Sequence, residues 1–249
     1  MPDDHAIHLT LTDVRKTYPS PTGEDVHACD GLSLQVPQGQ LLAITGPSGS
    51  GKTTLLHLIG GLITPTTGTI RIGDTDLTQL SDHELTLFRR RHVGVIFQAF
   101  NLIPTLTAEE NILLPILADG RRSTIPSDAL HDALKTLLDR LGLAARRHHY
   151  PDALSGGEQQ RTAIARALLP DLATHQHGSL LLADEPTGNL DSAASENICR
   201  LLRELCDEQR HTMLVVTHER AVADWCDRIV TLKDGRLVED RLNDRHREG

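Results

Sequence analysis

A glycine-rich turn lies between two regular segments and limits what this chain can fold into. The apolar run at residues 40–45 predicts a short buried strand, and residues 53–60 are compatible with a helix. The turn between them has the sequence GPSGSGKT, residues 46–53. Glycines allow positive φ angles, so successive N–H groups can point at an anion beside the positive end of the helix. This combination predicts a nucleoside triphosphate site.

The residue types in the turn suit a triphosphate and a metal ion. Lys52 is expected to reach the β- and γ-phosphates, and the Thr53 hydroxyl is expected to bind Mg²⁺. A glycine- and serine-rich loop without a ligand is the alternative, and the flanking strand and helix argue against it. The predicted cofactor-binding residues of this loop are Gly46, Pro47, Ser48, Gly49, Ser50, Gly51, Lys52, Thr53 and Thr54.

The composition restricts the class of protein. The chain has 249 residues, of which 39% are hydrophobic and 24% charged, as in ordinary globular proteins. Its formal net charge of −9 argues against general nucleic-acid binding, which requires a basic face, so no nucleic-acid partner is expected. Residues 1–5 carry no visible signal peptide and no apolar stretch is long enough to cross a bilayer. We therefore expect any membrane role to depend on a partner.

The four cysteines are scattered through the sequence and have no C-x-x-C spacing. Cys199 and Cys206 are spaced so that they fall on one face of a predicted helix. This pattern favours reduced thiols in a core over a disulfide framework or a zinc site.

Apolar periodicity and turn signals predict the order of the elements. Alternating apolar residues at 7–11 and 32–36 predict an antiparallel strand layer ahead of the glycine-rich turn, and Asp234-Gly235 predicts a hairpin. Residues 81–157 are expected to be mostly helical. Because strands and helices alternate, the main sheet should be largely parallel and flanked by helices. Further buried strands are predicted at residues 69–72, 93–98, 180–185 and 213–217.

Two carboxylates end one of these predicted strands. Asp184 and Glu185 follow an apolar run, where an unpaired charge is costly and a charged partner is expected. A Mg²⁺ ion held by Asp184 and Thr53 would be such a partner, and Glu185 is then placed to accept a proton from an attacking water. His218 ends the next strand, and Tyr18 precedes a turn-rich run. Taken alone, each is either a structural residue or a ligand contact.

The order of the motifs resembles that of the nucleotide-binding subunits of ATP-binding-cassette (ABC) transporters. The stretch LSGGEQQR at residues 154–161 is similar to the signature motif of that family, which other phosphate-loop ATPases lack. The resemblance extends over roughly residues 6–240. It also assigns Gln98 to the Q-loop, Asp184-Glu185 to the Walker B motif, Asn189-Leu190-Asp191 to the D-loop, His218 to the switch position and Tyr18 to stacking on adenine.

Residues 97–111 and 183–191 further resemble the macrolide-export and lipoprotein-release (MacB/LolD-like) group, with FtsE as close kin. The resemblance implies an α/β fold: a RecA-like phosphate-loop core with a mainly parallel sheet, an N-terminal antiparallel β layer and a helical subdomain. The expected boundaries are residues 1–92 and 160–240 for the core with its β layer, 93–159 for the helical subdomain and 241–249 for a charged tail.

The same resemblance implies the roles of the site residues. Those expected to be catalytic are Lys52, Gln98, Glu185 and His218. Those expected to bind Mg²⁺ are Thr53, Gln98 and Asp184. Besides the loop 46–54, those expected to contact ATP are Tyr18, Ser155, Gly156, Gly157 and Asp191.

The resemblance also implies partners. Ser155, Gly156 and Gly157 are expected to close over the ATP of a second subunit, which gives a head-to-tail homodimer with ATP at its interface. Its expected partner is an FtsX- or MacB-like permease at the cytoplasmic face of the inner membrane, powered for export or extraction. The alternatives are an FtsE-like ATPase that transmits force without moving a solute, and an ATPase that acts on DNA or ribosomes. The acidic charge, with no coiled-coil insertion or second cassette, counts against the last one.

One stretch departs from the family pattern. Residues 170–179, between the signature and the Walker B strand, are more numerous than the family leads us to expect. Their polar, turn-like composition predicts a surface loop, since long surface insertions cost little.

A second stretch is expected to dock the permease. Residues 99–115 carry several apolar side chains beside Gln98, and Pro104 prevents one uninterrupted helix from burying them all. An exposed apolar groove would accept an amphipathic helix of the partner. For Ile112 and Leu113 a place in the core is equally compatible with the sequence. The predicted docking residues are Phe100, Leu102, Ile103, Leu106 and Ile112.

Overall fold

The computed structural model describes residues 7–20, 23–118, 125–174 and 179–243. An antiparallel sheet opens the chain. Its four strands are β1 (Ile7–Tyr18), β2 (Val26–Pro37), β4 (Thr67–Ile72) and β5 (Thr75–Asp76), in the order β2-β1-β4-β5.

A larger sheet forms the centre of the molecule. Its strands are β3 (Leu41–Thr45), β6 (Val93–Ile96), β7 (Leu180–Asp184), β8 (Thr212–Val216), β9 (Arg228–Lys233) and β10 (Arg236–Leu242), in the order β10-β9-β3-β8-β7-β6. All neighbours are parallel except β9 and β10, which form the predicted hairpin. Within the described ranges, no helix has both the length and the apolar character needed to cross a membrane.

Helices pack on the larger sheet and on one another. They are α1 (Lys52–Ile59), α2 (Asp82–His92), α3 (Ala108–Ala118), α4 (Ser127–Arg140), α5 (Gly156–Thr174), α6 (Ser192–Gln209) and α7 (Arg220–Ala223).

The central strands are buried on both faces, which explains their continuous apolar sequences. In β3, Leu41 and Ala43 join the core beneath α4, α5 and α6. Leu42 and Ile44 join a second core that packs against α1 and the antiparallel sheet. Successive side chains of a strand point to opposite faces, so one strand supplies both cores. The α/β fold with an antiparallel layer is confirmed.

The domain boundary expected at residue 93 is wrong. Residues 93–96 form β6, which pairs in parallel with β7 and therefore belongs to the larger sheet. This strand is also less buried than predicted, because it lies at the edge of the sheet and only Ile96 is fully covered. The described helices α3 and α4 follow this strand.

The surface loop predicted at residues 170–179 is wrong over its first half. Residues 170–174 continue α5, and Pro170, Asp171 and Ala173 are buried. Apolar residues keep the helical period on the covered face here, and packing outweighs the missing N–H of the proline. Residues 175–178 lie outside the described residues.

The tail predicted at residues 241–249 also begins too early. Arg241 and Leu242 still pair with Ile229 and Arg228 in the hairpin, so the strand continues through residue 242. Backbone pairing along an edge strand tolerates exposed side chains, here the charged Arg241 and the apolar Leu242. Residues 244–249 lie outside the described residues.

All four cysteines are buried with free thiols, and the core position predicted for Cys199 and Cys206 is confirmed. Cys199 and Cys206 both face the core from α6. Burial raises the pKa of the Cys206 thiol to about 12, so this sulfur is protonated and unreactive at neutral pH.

The predicted docking stretch is partly core. Ile112 is fully buried, whereas Ile103 keeps 38% of its surface exposed. Leu113 is half-buried and packs against the core. The core alternative therefore holds for Ile112, and Ile112 is removed from the predicted docking residues.

These two isoleucines give a matched stability test. Ile112→Ala should lower the free energy of unfolding by about 2–5 kcal/mol, because it leaves a cavity in the core. Ile103→Ala should lower it by less than about 1 kcal/mol, because the site is at the surface. Urea unfolding of both variants checks this, and equal losses would contradict the assignment of Ile112 to the core.

Candidate active site

The glycine-rich loop is fixed by close backbone contacts. Gly46, Gly49 and Gly51 have φ angles of 140°, 78° and 99°. A Cβ at Gly51 would lie 2.0 Å from the Ala28 carbonyl oxygen, and one at Gly46 would lie 2.1 Å from that of Leu232. Only glycine fits at these two positions, which lets the loop pack directly on β2 and β9.

Lys52 begins α1 and folds back over the loop. Its Nζ donates to the carbonyl oxygens of Gly46 (2.9 Å) and Pro47 (2.8 Å). Gly51 precedes the helix in a left-handed conformation, and no side chain caps the helix N-terminus. The first turn of α1 thus presents backbone N–H groups and an ammonium group on the same side, which is a site suited to an anion.

An open cleft of about 1070 Å³ lies over this loop. Tyr18 stands at its side, 41% exposed, which rules out the alternative that Tyr18 is a core aromatic. The Lys16 ammonium lies 5.2 Å from the centre of the Tyr18 ring. The cleft is lined by the loop 46–54 together with Tyr18, Val26, His27, Ala28, Glu185, His218, Asp234 and Gly235.

Thr53 and Asp184 meet where the loop approaches the end of β7. The Thr53 hydroxyl lies close enough to the Asp184 carboxylate to lower the pKa of that group. Burial raises the pKa of Asp184 and the neighbouring Glu185 adds to this rise, while Thr53, His57 and Lys52 oppose it. A hydroxyl and a partly buried carboxylate are oxygen donors of the kind that Mg²⁺ prefers, so this pair fits the ion.

Glu185 and His218 form the second pair in the cleft. His218 Nδ1 lies 2.9 Å from Glu185 Oε1, with His218 well exposed and Glu185 mostly covered. Glu185 has a φ of 45°, and its N–H donates to the Val216 carbonyl oxygen. A left-handed glutamate is strained, and such strain is common at functional sites. The backbone turn at Glu185 and the contact with His218 together fix the orientation of this carboxylate in the cleft.

Gln98 lies near these carboxylates but outside the lining of the cleft. A Cβ on Gly188 would be 3.0 Å from Gln98 Nε2 and 3.5 Å from Glu185 Oε2, so the amide and the carboxylate share this neighbour. The Asn189 side chain donates to the Gln98 carbonyl oxygen at 2.8 Å.

The signature residues form a separate group. Ser155 caps α5 reciprocally with Glu158: the Ser155 N–H donates to Glu158 Oε2 (2.8 Å), and the Glu158 N–H donates to Ser155 Oγ (3.3 Å). Ser155 is exposed, and neither it nor Gly156 or Gly157 is among the described residues that line the cleft. Asp191 caps α6 by accepting from the Ala194 N–H, also away from the cleft. The predicted site residues therefore divide between two surfaces.

The sequence of this chain is similar to known proteins along most of its length. The sequence model of the ABC transporter family matches residues 29–188. The chain belongs to the ABC transporter family. It is an ATPase of that family, which confirms the resemblance read from its motifs.

Three similar proteins illustrate this membership. The macrolide export ATP-binding/permease protein MacB of Chlorobaculum tepidum is 44% identical over 234 residues, 94% of this chain and 34% of that protein. The pyoverdine export ATP-binding/permease protein PvdT of Pseudomonas aeruginosa is 40% identical over 236 residues, which are 95% of this chain and 34% of that protein. This chain thus spans about a third of the length of MacB and of PvdT.

The third is a solved structure of the ATP-binding cassette MJ0796, a dimer in a post-hydrolysis state bound to ADP and Pi. It matches with a TM-score of 0.83 and 39% identity, and the match covers 94% of this chain and 98% of that one.

Several residues of the ABC site were missed from sequence. His27 and Asp234 line the cleft. Asp234-Gly235 was visible as a hairpin signal, but nothing local indicated that this hairpin reaches the glycine-rich loop, where the Gly235 N–H donates to the Ser50 carbonyl oxygen. His27 carried no signal at all.

Proposed function

We propose that this ABC ATPase works as a head-to-tail dimer that powers an FtsX- or MacB-like permease at the cytoplasmic face of the inner membrane. Its task would be export or extraction across the cell envelope. The observation that carries the proposal is the division of the site, with Lys52, Glu185 and His218 in one cleft and Ser155 on another exposed surface. MJ0796 as a dimer and the export permeases MacB and PvdT support it.

In the proposed site, the loop and Lys52 hold the triphosphate. The Lys52 ammonium exchanges its two carbonyl partners for the β- and γ-phosphate oxygens. Thr53, Asp184 and Gln98 would hold Mg²⁺, which supplies positive charge to the phosphates when bound. Because the pKa of Asp184 is raised, its protonation competes with the metal, so Mg²⁺ affinity should fall as the pH is lowered towards that pKa.

Hydrolysis is assigned to the pair Glu185 and His218. The Glu185 carboxylate accepts the proton of the attacking water, and the His218 imidazole keeps it oriented through the 2.9 Å contact. Tyr18 offers an exposed ring for the adenine.

The N-terminus of α5 supplies the missing side of the site. Its Ser155 hydroxyl and the N–H groups of Gly156 and Gly157 would form an anion-binding surface outside the lining of the chain's own cleft. In a two-fold dimer each subunit places this surface over the ATP of the other, so that ATP holds the dimer together and hydrolysis releases it.

The base assignment predicts that Glu185→Gln keeps ATP binding but lowers kcat by about 10²–10⁴-fold, because an amide cannot accept the proton. The variant should accumulate as an ATP-bound dimer in size-exclusion chromatography. Glu196→Gln, an exposed glutamate of α6, is the matched control. Phosphate release near the wild-type rate would remove Glu185 from this role.

The composite site predicts recovery of activity in mixed dimers. Lys52→Ala and Ser155→Ala should each inactivate the homodimer. A heterodimer with one copy of each variant keeps one intact site, with Lys52 from the Ser155→Ala subunit and Ser155 from the Lys52→Ala subunit. We expect about half of the wild-type rate if the two sites work independently. Verified heterodimers without activity would count against the head-to-tail arrangement.

The docking surface of the permease is proposed to lie on residues 99–107. The buried Asn111 side chain holds this segment: Oδ1 accepts from the Ile103 N–H, and Nδ2 donates to the carbonyl oxygens of Ile103, Leu106 and Thr107. These bonds hold the backbone at residues 103–107, while the side chains of Ile103 and Leu102 remain accessible. A fixed apolar surface beside Gln98 suits an amphipathic helix of the permease.

Leu102→Ala and Ile103→Ala should leave ATP binding and the basal ATPase rate unchanged, because these side chains lie outside the cleft. Both should lower the yield of permease in co-purification and its stimulation of the ATPase. Leu62→Ala, which removes a leucine that is 42% exposed, is the control. Normal co-purification of both variants would place the docking surface elsewhere.

A further inference from the structure

Two consecutive residues that follow Gln98 adopt an unfavourable backbone conformation. Phe100 has a φ of 59° and Asn101 a φ of 50°. Side chains with a Cβ rarely occupy this left-handed region, and a bulky phenylalanine does so least readily. Two such residues in a row persist only where the surrounding structure holds them.

Arg166 of α5 makes the contacts that hold this turn. Its Nη2 donates to the Phe100 carbonyl oxygen at 2.8 Å, and its Nη1 donates to that of Asn101 at 2.5 Å. Both arms of the planar guanidinium are therefore used on adjacent strained residues, which a lysine could not reproduce.

The guanidinium of Arg166 is partly desolvated for this purpose. Burial lowers the pKa of Arg166, although the group stays charged at neutral pH. Among the residues that the structure describes, no carboxylate forms an ion pair with it. A buried charge is costly without a strong partner, and here the two carbonyl groups are the partners.

Other contacts connect the same turn to the two ends of the composite site. A Cβ on Gly156, at the N-terminus of α5, would lie 4.0 Å from the Phe100 ring and 3.4 Å from Leu190. Asn189 holds the carbonyl of Gln98. Residues 98–101 thus lie beside both the N-terminus of α5, next to Ser155, and the segment that precedes Asp191.

We propose that Arg166 is a positioning residue for ATP hydrolysis. It fixes the turn after Gln98 to α5. When one of these elements moves, the position of Gln98 at the subunit's own ATP and the position of Ser155 at the ATP of the second subunit therefore change together. The inference rests on the proposed function, since it needs Gln98 to contact its own nucleotide and Ser155 to contact that of the second subunit. Arg166 itself touches neither.

The test compares Arg166→Gln and Arg166→Lys with Arg200→Gln, an exposed arginine that pairs with Glu196 on α6. We expect Arg166→Gln to lower kcat by about tenfold to a hundredfold, as for a catalytic group displaced by about 1 Å, with ATP affinity and Tm close to those of the wild type. Arg166→Lys should recover part of kcat. A wild-type kcat in Arg166→Gln would overturn the proposal.

A suppressor separates positioning from a general structural role. Glycine adopts left-handed φ angles without a holding contact, so Asn101→Gly should restore part of the kcat lost in Arg166→Gln. The double-mutant cycle measures this coupling, and additive effects would overturn the proposal. So would a loss of kcat accompanied by an equal loss of ATP affinity. Should Arg166→Gln fail to fold, Arg166→Lys takes its place in the cycle.

Failure of the inference can be told apart from failure of the proposed function. If the wild type hydrolyses ATP in a Glu185-dependent manner but Arg166→Gln does so equally well, only the role of Arg166 is lost. If Glu185→Gln is also fully active, the proposed site itself is wrong and the Arg166 proposal falls with it.

Discussion

Parallel pairing of β3, β8 and β7 is the constraint on which the candidate site depends. Ile44 and Asp184 both pair with Val216, so the carboxyl ends of three strands lie level at one edge of the sheet. The glycine-rich loop, the two carboxylates and His218 follow directly from these ends. Residues more than 130 positions apart in sequence are brought together because the strands are buried on both faces and their register is fixed by packing.

The antiparallel sheet and the β9–β10 hairpin complete the site because they restrict the conformation of the glycine-rich loop. A Cβ on Gly51 would lie 2.0 Å from the Ala28 carbonyl oxygen, and one on Gly46 would lie 2.1 Å from that of Leu232. The loop can therefore approach these oxygens only with glycine at both positions. The same two elements supply Tyr18, His27 and Asp234 to the cleft. The site is thus assembled from both sheets, which explains why the N-terminal layer is part of the working unit.

Local sequence patterns were sufficient for the elements that carry the chemistry. The strand before the loop, the carboxylates at the end of β7 and the Asp234-Gly235 hairpin each have a short-range signal. No short-range signal indicated three other features: the extension of α5 past Pro170, the hydrogen bonds of the Asn111 amide and the hydrogen bond from Arg166 to Phe100. They depend on contacts between distant segments, as between Arg166 and Phe100. Packing there outweighs the local preference of Pro170 against a helix interior and of Phe100 against a left-handed conformation.

The central claim is that a triphosphate binds at the loop 46–54, and calorimetric titration of ATP with Mg²⁺ tests it most directly. Lys52→Ala removes the ammonium group from the loop, whereas Lys135→Ala removes an exposed lysine of α4. The account predicts that Lys52→Ala weakens ATP binding by about tenfold or more, a free-energy loss of at least about 1.4 kcal/mol, and that Lys135→Ala binds as the wild type does. Equal affinities for all three proteins would contradict it.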